Sequence, residues 1–374
     1  MTSIINANLI SLFYIKVNLK HYFDCNLLYQ CDFISIVSFF SKNIEIITNF
    51  VVIYTKDMKI VILDAYTVNP GDLSWKDLEK LADVEIYDRT LEEEIVPRCK
   101  GAEIVLTNKV VLDAAVLNQL PRLMYIGVLA TGYNVVDLEV ATRQSIVVCN
   151  IPSYSTQSVA QMVFAHLLNI VNRVDHYAVA NRNGRWSENK DFCYIDHNLF
   201  ELYGKRIGIV GLGSTGMATA KIALSFGMEV VAFTSKSDED LPYGVHRVLL
   251  DELFSTSDII SLHCPLNNST RFMVNSLRLK QMKSSAILIN TGRGPLVDES
   301  ELAEALNSGM IAAYGADVLS TEPADKENPL LRAKNCFLTP HIAWATREAR
   351  KRLINICIDN IKAFLDGETV NQVN

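Results

Sequence analysis

From Met58 onward the chain alternates between short apolar runs and stretches with helical spacing. Lys59–Leu63, Val84–Tyr87, Glu103–Leu106, Met124–Gly127 and Ile146–Cys149 have the length and composition of strands buried on both faces. Leu73–Leu81 and Asp113–Leu117 read as helical intervals between them. A second series follows at Arg206–Val210, Glu229–Phe233, Ile259–His263, Ala286–Asn290, Ala312–Ala316 and Cys336–Thr339. Between the two series, Ser155 or Thr156 is placed to cap a helix running to about Asn181, with an apolar stripe at Val159, Val163, Leu167 and Val171. Arg347–Leu365 is again helical in pattern. Strands alternating with helices imply βαβ units, so the pattern predicts an α/β chain of two doubly wound, parallel-sheet domains.

Met1–Asp57 breaks this pattern. The segment holds ten isoleucines and six phenylalanines, and no arginine precedes Arg89. Its uncharged runs, Phe33–Phe40 and Ile46–Thr55, fall short of the ~20 apolar residues that cross a bilayer. It lacks the basic start, apolar core and small-residue cleavage site of a signal peptide. We read residues 1–57 as an extension outside the α/β fold, disordered or produced by a start site set too early, with Met58 as the natural initiator. The alternative is a membrane-surface or targeting extension.

Composition narrows the function classes. The 374 residues carry 35 basic and 42 acidic side chains, net −7, and 49% are hydrophobic. Such a chain exceeds one core and is too apolar for disorder. The acidic balance argues against nucleic acid as a partner. The eight cysteines form no Cys-x-x-Cys or zinc spacing, so they read as core residues of a cytoplasmic protein without a metal. No membrane partner is expected.

Gly211-Leu212-Gly213-Ser214-Thr215-Gly216 lies after a predicted strand and before a predicted helix, the setting of a Rossmann dinucleotide loop. There Gly211 permits a tight turn, Gly213 lets backbone approach a pyrophosphate, and Gly216 lets helix and strand pack closely. The next strand should end in an acid that holds the ribose hydroxyls, yet after Phe233 stand Thr234, Ser235 and Lys236. Hydroxyls and a cation suit a 2′-phosphate, which tilts NAD(P)H binding toward NADPH. The alternative is a solvated turn, with NADH held by backbone. Arg293, Asp317, Glu322 and His341 follow three later predicted strands, whose carboxyl ends are where such sheets bind ligands. Arg293 offers a planar fork for a carboxylate and a carbonyl. His341 suits proton transfer near neutrality, and Glu322 could hold its imidazole and favour the protonated form.

The strings "GLGSTG", "LHCPLNNST", "NTGRGPLVDESELAEAL", "GADVLSTEP" and "TPHIAWAT" resemble the D-isomer-specific 2-hydroxyacid dehydrogenases from Met58 to the C-terminus. "LTNKVVLD", "YSTQSVAQ", "ENPLL" and Trp344 after "HIA" are similar to the branch acting on hydroxypyruvate and glycerate. The resemblance implies that Arg293, Glu322 and His341 are catalytic. Ser214 and Thr215 would lie on the pyrophosphate, with Thr234, Ser235 and Lys236 near the adenosine ribose. His263, Cys264, Pro265, Thr291, Gly292 and Asp317 would line the nicotinamide side; His263 reads equally well as a buried strand-end residue. Thr131 and Gly132 would cradle the carboxylate of a 2-keto or 2-hydroxy acid, with Lys109 facing the same pocket and Arg293 shared between substrate binding and catalysis. Residues 58–155 and 346–374 would form a substrate domain, 156–345 an inserted cofactor domain, and the chain a homodimer. Rival readings are glyoxylate, D-lactate or phosphoglycerate dehydrogenases, and an NADH-sensing, corepressor-like binding protein.

Overall fold

The computed structural model describes residues 58–374, so the expectations for Met1–Asp57 lie outside the described residues. The chain forms two compact units, one of residues up to Tyr154 together with Arg347–Asn374, the other of Ser155–Thr346. Each is built on one parallel sheet, as the alternating pattern predicts.

In the first unit β1 (Lys59–Ile62), β2 (Asp83–Ile86), β3 (Ile104–Thr107), β4 (Tyr125–Val128) and β5 (Val147–Cys149) stand in the order β2-β1-β3-β4-β5. β3 and β4 are buried at every position because both faces are covered. The connecting helices are short: α1 (Lys76–Glu79), α2 (Ile95–Cys99), α3 (Ala114–Leu117) and α4 (Leu138–Arg143). Asp113 and Asp137 cap α3 and α4 by accepting the N–H groups of Val116 and Val140. The C-terminal helix, Arg347–Leu365, buries Leu353, Cys357, Ile361 and Phe364 in this unit. Its Phe364 ring lies 4.9 Å from that of Tyr125. Its buried Arg350 grips Asp72 through both nitrogens, at 2.7 and 2.8 Å.

In the second unit β6 (Arg206–Val210), β7 (Glu229–Phe233), β8 (Val245–Arg247), β9 (Ile259–Leu262), β10 (Ile287–Asn290), β11 (Ala313–Ala316) and β12 (Cys336–Leu338) run β12-β11-β10-β9-β6-β7-β8. The order reverses between β6 and β9, the switch point at which such sheets open a crevice. The helices are α5 (Thr156–Asn172), α6 (Val174–Arg182), α7 (Ser214–Ser225), α8 (Leu250–Thr256), α9 (Ser276–Gln281) and α10 (Glu299–Ser308). Val163, Leu167 and Val171 of α5 pack with Ile207, Ile209 and Ala220. On the other face Leu253, Leu279 and Leu302 pack with Val210, Ile260 and Leu288.

The structure corrects two local expectations. The helix predicted to reach Asn181 breaks at Arg173, whose φ of 52° is left-handed. The apolar stripe ends at Val171, the Asn169 side chain accepts the Asp175 N–H, and Arg173 is drawn to Asn335 and the Phe337 ring. Ser155 occupies the N-cap of α5 but makes no side-chain cap bond. β8 has no apolar run to betray it, because only Val245 of its three residues is buried. Among the described residues no helix is long and apolar enough to cross a membrane.

The Asp72–Arg350 pair sets a pH dependence. The Arg350 guanidinium holds the Asp72 carboxyl below its ordinary value of 3.8. Because the folded-state value is depressed, the pair stabilises above the ordinary value and is lost as pH falls through the depressed one. Asp72→Asn is therefore expected to melt below the wild type at pH 7. Melts taken down to about pH 3 should show the gap closing; a constant gap would contradict the assignment.

Candidate active site

β10, β11 and β12 are neighbours, so their carboxyl ends deliver three loops side by side. The first carries Arg293, which is exposed. Buried Asn290 folds this loop: its Oδ1 accepts the Gly292 N–H at 3.0 Å and its Nδ2 donates to the Arg293 carbonyl at 2.9 Å. The Arg293 guanidinium also donates to the Gly292 carbonyl at 2.8 Å. Gly294 follows, pressed so closely on the second loop that a Cβ there would lie 2.0 Å from the Leu319 carbonyl carbon. The second loop carries Glu322, whose Oε1 accepts the Leu319 N–H at 3.0 Å. Its Oε2 stands 2.5 Å from His341 Nδ1 on the third loop. With the Nδ1 proton directed to Glu322, Nε2 is the ring nitrogen left to exchange a proton.

His341 is fixed through its backbone. Its φ of 52° is left-handed, a strained conformation for a residue with a Cβ. Its N–H donates to the Thr339 carbonyl at 3.0 Å, and its own carbonyl accepts the Trp344 indole N–H at 2.8 Å. Asp317, at the end of β11, is 1% exposed and clamps the same loop. Its carboxylate accepts from the Thr339 hydroxyl at 2.6 Å, the Ile342 N–H at 2.9 Å and the Ala343 N–H at 2.7 Å. The resemblance implies for Asp317 a place on the nicotinamide side; the structure gives it this clamp.

The glycine loop fits a dinucleotide. Gly211 (φ +95°) lies against the β9 end, where a Cβ would come 2.7 Å from the Cys264 nitrogen. A Cβ on Gly216 would reach within 2.2 Å of the Gly211 carbonyl oxygen, whereas Gly213 faces open space. Gly213 is also the N-cap of α7, and no side chain caps that end. The first N–H groups of α7, from Ser214, Thr215 and Gly216, are thus set to meet a phosphate. Thr291 adds a buried hydroxyl with no partner. Burial pushes the His263 imidazole down to about 4, so it is neutral and hydrogen-bonded to Ser261 at 2.9 Å. Cys264, followed by Pro265, directs its thiol to Met273. After β7, the Thr234 hydroxyl accepts the Lys236 N–H at 3.2 Å. Asp238, the nearest acid after this turn, is held by Arg247 at 3.0 Å, and Arg247 also reaches the Lys236 carbonyl at 3.4 Å. Sequence reasoning missed Arg247 because β8 is so short.

In the first unit the loops after β1, β2 and β3 surround a cleft of about 740 Å³ that includes Lys109, Arg89 and Tyr66. Asp64, unmarked in the sequence beyond closing an apolar strand, organises it. Its carboxylate accepts three successive N–H groups, from Asn108 (2.7 Å), Lys109 (2.5 Å) and Val110 (3.1 Å). Burial raises its pKa against the pull of these bonds. Asn108 in turn donates to the Leu129 carbonyl at 2.6 Å, steadying the loop after β4. In that loop Thr131 donates its hydroxyl to Ile151 (3.0 Å) and accepts at its carbonyl from Asn150 (2.8 Å), with Gly132 next in sequence.

Comparison with known proteins bears on this arrangement. A hydroxypyruvate reductase of Blautia hydrogenotrophica is 49% identical over 321 residues, 85% of this chain and 100% of the relative. The chain belongs to the D-isomer specific 2-hydroxyacid dehydrogenase family. Residues 164–343 match that family's NAD binding domain. A glycerate dehydrogenase of Methylorubrum extorquens is 39% identical over 84% of this chain and 98% of its own. The crystal structure of the TT0316 protein from Thermus thermophilus superposes with a TM-score of 0.76, at 34% identity, covering 85% of this chain and 100% of that one.

The contact of Gly294 with Leu319 leaves no room for a methyl group. Gly294→Ala is expected to cost about 1–3 kcal/mol, typical of overpacking, read as a lower Tm with unchanged far-ultraviolet circular dichroism. Wild-type stability would mean the two loops separate freely.

Proposed function

We propose that this dehydrogenase reduces hydroxypyruvate to D-glycerate with NAD(P)H, and runs the reverse reaction. The observation that carries the reading is the Glu322–His341 pair, at 2.5 Å, on the loops after the paired strands β11 and β12, with Arg293 after β10 on the other side of β11. The substrate is supported by the relative that is 49% identical over 85% of the chain.

When bound, a nicotinamide cofactor would supply the hydride for C2 of the keto acid. His341 gives the proton to the keto oxygen from Nε2, while Glu322 holds the imidazole by Nδ1 and balances its charge in the acid form. Arg293, exposed on the loop after the neighbouring β10, binds the substrate carboxylate and polarises the carbonyl. In the first unit, Lys109 and the Thr131–Gly132 backbone are the proposed substrate contacts. Gly211, Gly213, Ser214, Thr215 and Gly216 hold the pyrophosphate. His263, Cys264, Pro265, Thr291, Gly292 and Asp317 flank the nicotinamide.

NADPH is the preferred cofactor in this reading. Thr234, Ser235 and Lys236 replace the ribose acid, and Arg247 occupies Asp238. Dimerisation is supported by large apolar side chains left exposed between 174 and 203, among them Trp186 (54%), Phe192 (89%), Ile195 (76%) and Tyr203 (76%). The described cysteines are free thiols, as suits a cytoplasmic protein.

Three measurements test this function. His341→Ala is expected to lower hydroxypyruvate turnover by ~10²–10⁴ while cofactor affinity holds; retained turnover would refute the acid/base role. Lys236→Ala should raise the Kd for NADPH and leave that for NADH unchanged, and equal effects on both would refute the phosphate contact. Light scattering should give twice the monomer mass, and a monomer would contradict the dimer.

A further inference from the structure

One buried titratable side chain outside the proposed machinery touches the loop that carries His341. His166, on α5, is 6% exposed, and its Nε2 lies 3.1 Å from the Thr339 hydroxyl. That hydroxyl lies 2.6 Å from the Asp317 carboxylate. An ionised carboxylate only accepts, so the single Thr339 proton is donated to Asp317, and the Thr339 oxygen accepts from His166. The imidazole is therefore the Nε2–H tautomer. Burial pushes its pKa below the ordinary value. Its seat is made by Gly315 on β11, where a Cβ would stand 2.9 Å from His166 Cβ.

We infer that His166 is a positioning residue for His341, acting through a hydrogen-bonded chain in which His166 donates to Thr339, Thr339 to Asp317, and Asp317 clamps the loop. The inference rests on the reading of His341 as the acid/base. The strained φ at His341 persists only while its surroundings hold it. Asp317 supplies that hold by gripping Ile342 and Ala343, the two residues that follow. The His166 N–H orients the Thr339 hydroxyl toward Asp317, and hydrogen bonds in series strengthen one another. Without that donor the half-buried Thr339 oxygen loses its protein partner, and its proton is free to turn from the carboxylate. The clamp then loosens at its outer end, and the imidazole samples positions unsuited to proton delivery. The glycine loop after β6 makes no part of this chain, and Asp317, the one member proposed to flank the nicotinamide, keeps its Ile342 and Ala343 donors when His166 is changed, so cofactor affinity is expected to hold.

The test compares His166→Leu, which removes the donor, with His166→Gln, which keeps an N–H. Wild type, both variants, Thr339→Val, the His166→Leu/Thr339→Val double variant and His341→Ala are assayed together. The assay uses whichever of hydroxypyruvate or glyoxylate the wild type turns over. His166→Leu is expected to lower kcat roughly tenfold, as small misplacements of a reacting group do. KM and the NADH Kd should stay within about twofold, a pattern of transition-state loss alone. His166→Gln should recover most of the rate. The double variant should be no slower than Thr339→Val, because both changes break one chain. Wild-type kcat in His166→Leu, equal losses in His166→Leu and His166→Gln, or additive losses in the double variant would each overturn the inference. If His166→Leu does not fold, a slow Thr339→Val beside a near-wild-type His166→Gln supports it, and any other order overturns it. Full activity in His341→Ala instead removes the acid/base reading, and the inference with it. A slow His341→Ala beside a fast His166→Leu removes the inference alone.

Discussion

A buried carboxylate holds together the loop that carries His341. Asp317 sits at the end of β11 and accepts a hydroxyl and two backbone N–H groups from the loop after β12. A carboxylate with no exposure to water must be met by donors, since leaving it bare would cost several kcal/mol. Those donors come from the residues flanking His341, so satisfying Asp317 also places the imidazole. The left-handed backbone at His341, the indole bond to its carbonyl and the 2.5 Å approach to Glu322 all depend on that placement.

The same use of backbone recurs elsewhere. Asp64 in the first unit takes three successive N–H groups and so shapes the loop bearing Lys109. Asn290 brackets the turn that presents Arg293. In each case a short polar side chain at a strand end bonds backbone groups that have left the ladder, and so shapes the loop that follows. Glycine supplies the complement where chain segments must touch: Gly216 lies against the Gly211 backbone, Gly294 against the Leu319 backbone, and Gly315 under the His166 side chain.

Much of this is legible in the sequence. Every predicted strand is found within about one residue of its end; the central ones, buried on both faces, are nearly continuous apolar runs, whereas the edge strands β2 and β12 are only partly buried. The glycine loop is legible because its strand and helix context is local. Arg293, Glu322 and His341 stand out as polar residues just past apolar runs, and adjacency of β10, β11 and β12 brings their loops together. Asp64, Arg247 and His166 are not legible in this way. Asp64 and His166 act through partners 44 and 173 residues distant, a separation no periodicity reports. Arg247 lies on a strand with a single buried residue, which leaves no apolar signal. The break at Arg173 escapes for a similar reason, since Asn335 and Phe337 draw that side chain from far along the chain.

The proposed reaction is direct hydride transfer to the keto carbon with a proton delivered by the protein. The most direct measurement gives the enzyme hydroxypyruvate with NADPH and NADH deuterated at nicotinamide C4, on the transferred face, and weighs the product. The expected result is glycerate of D configuration carrying one deuterium at C2. Cofactor oxidation without keto acid reduction, or glycerate free of label, would contradict it.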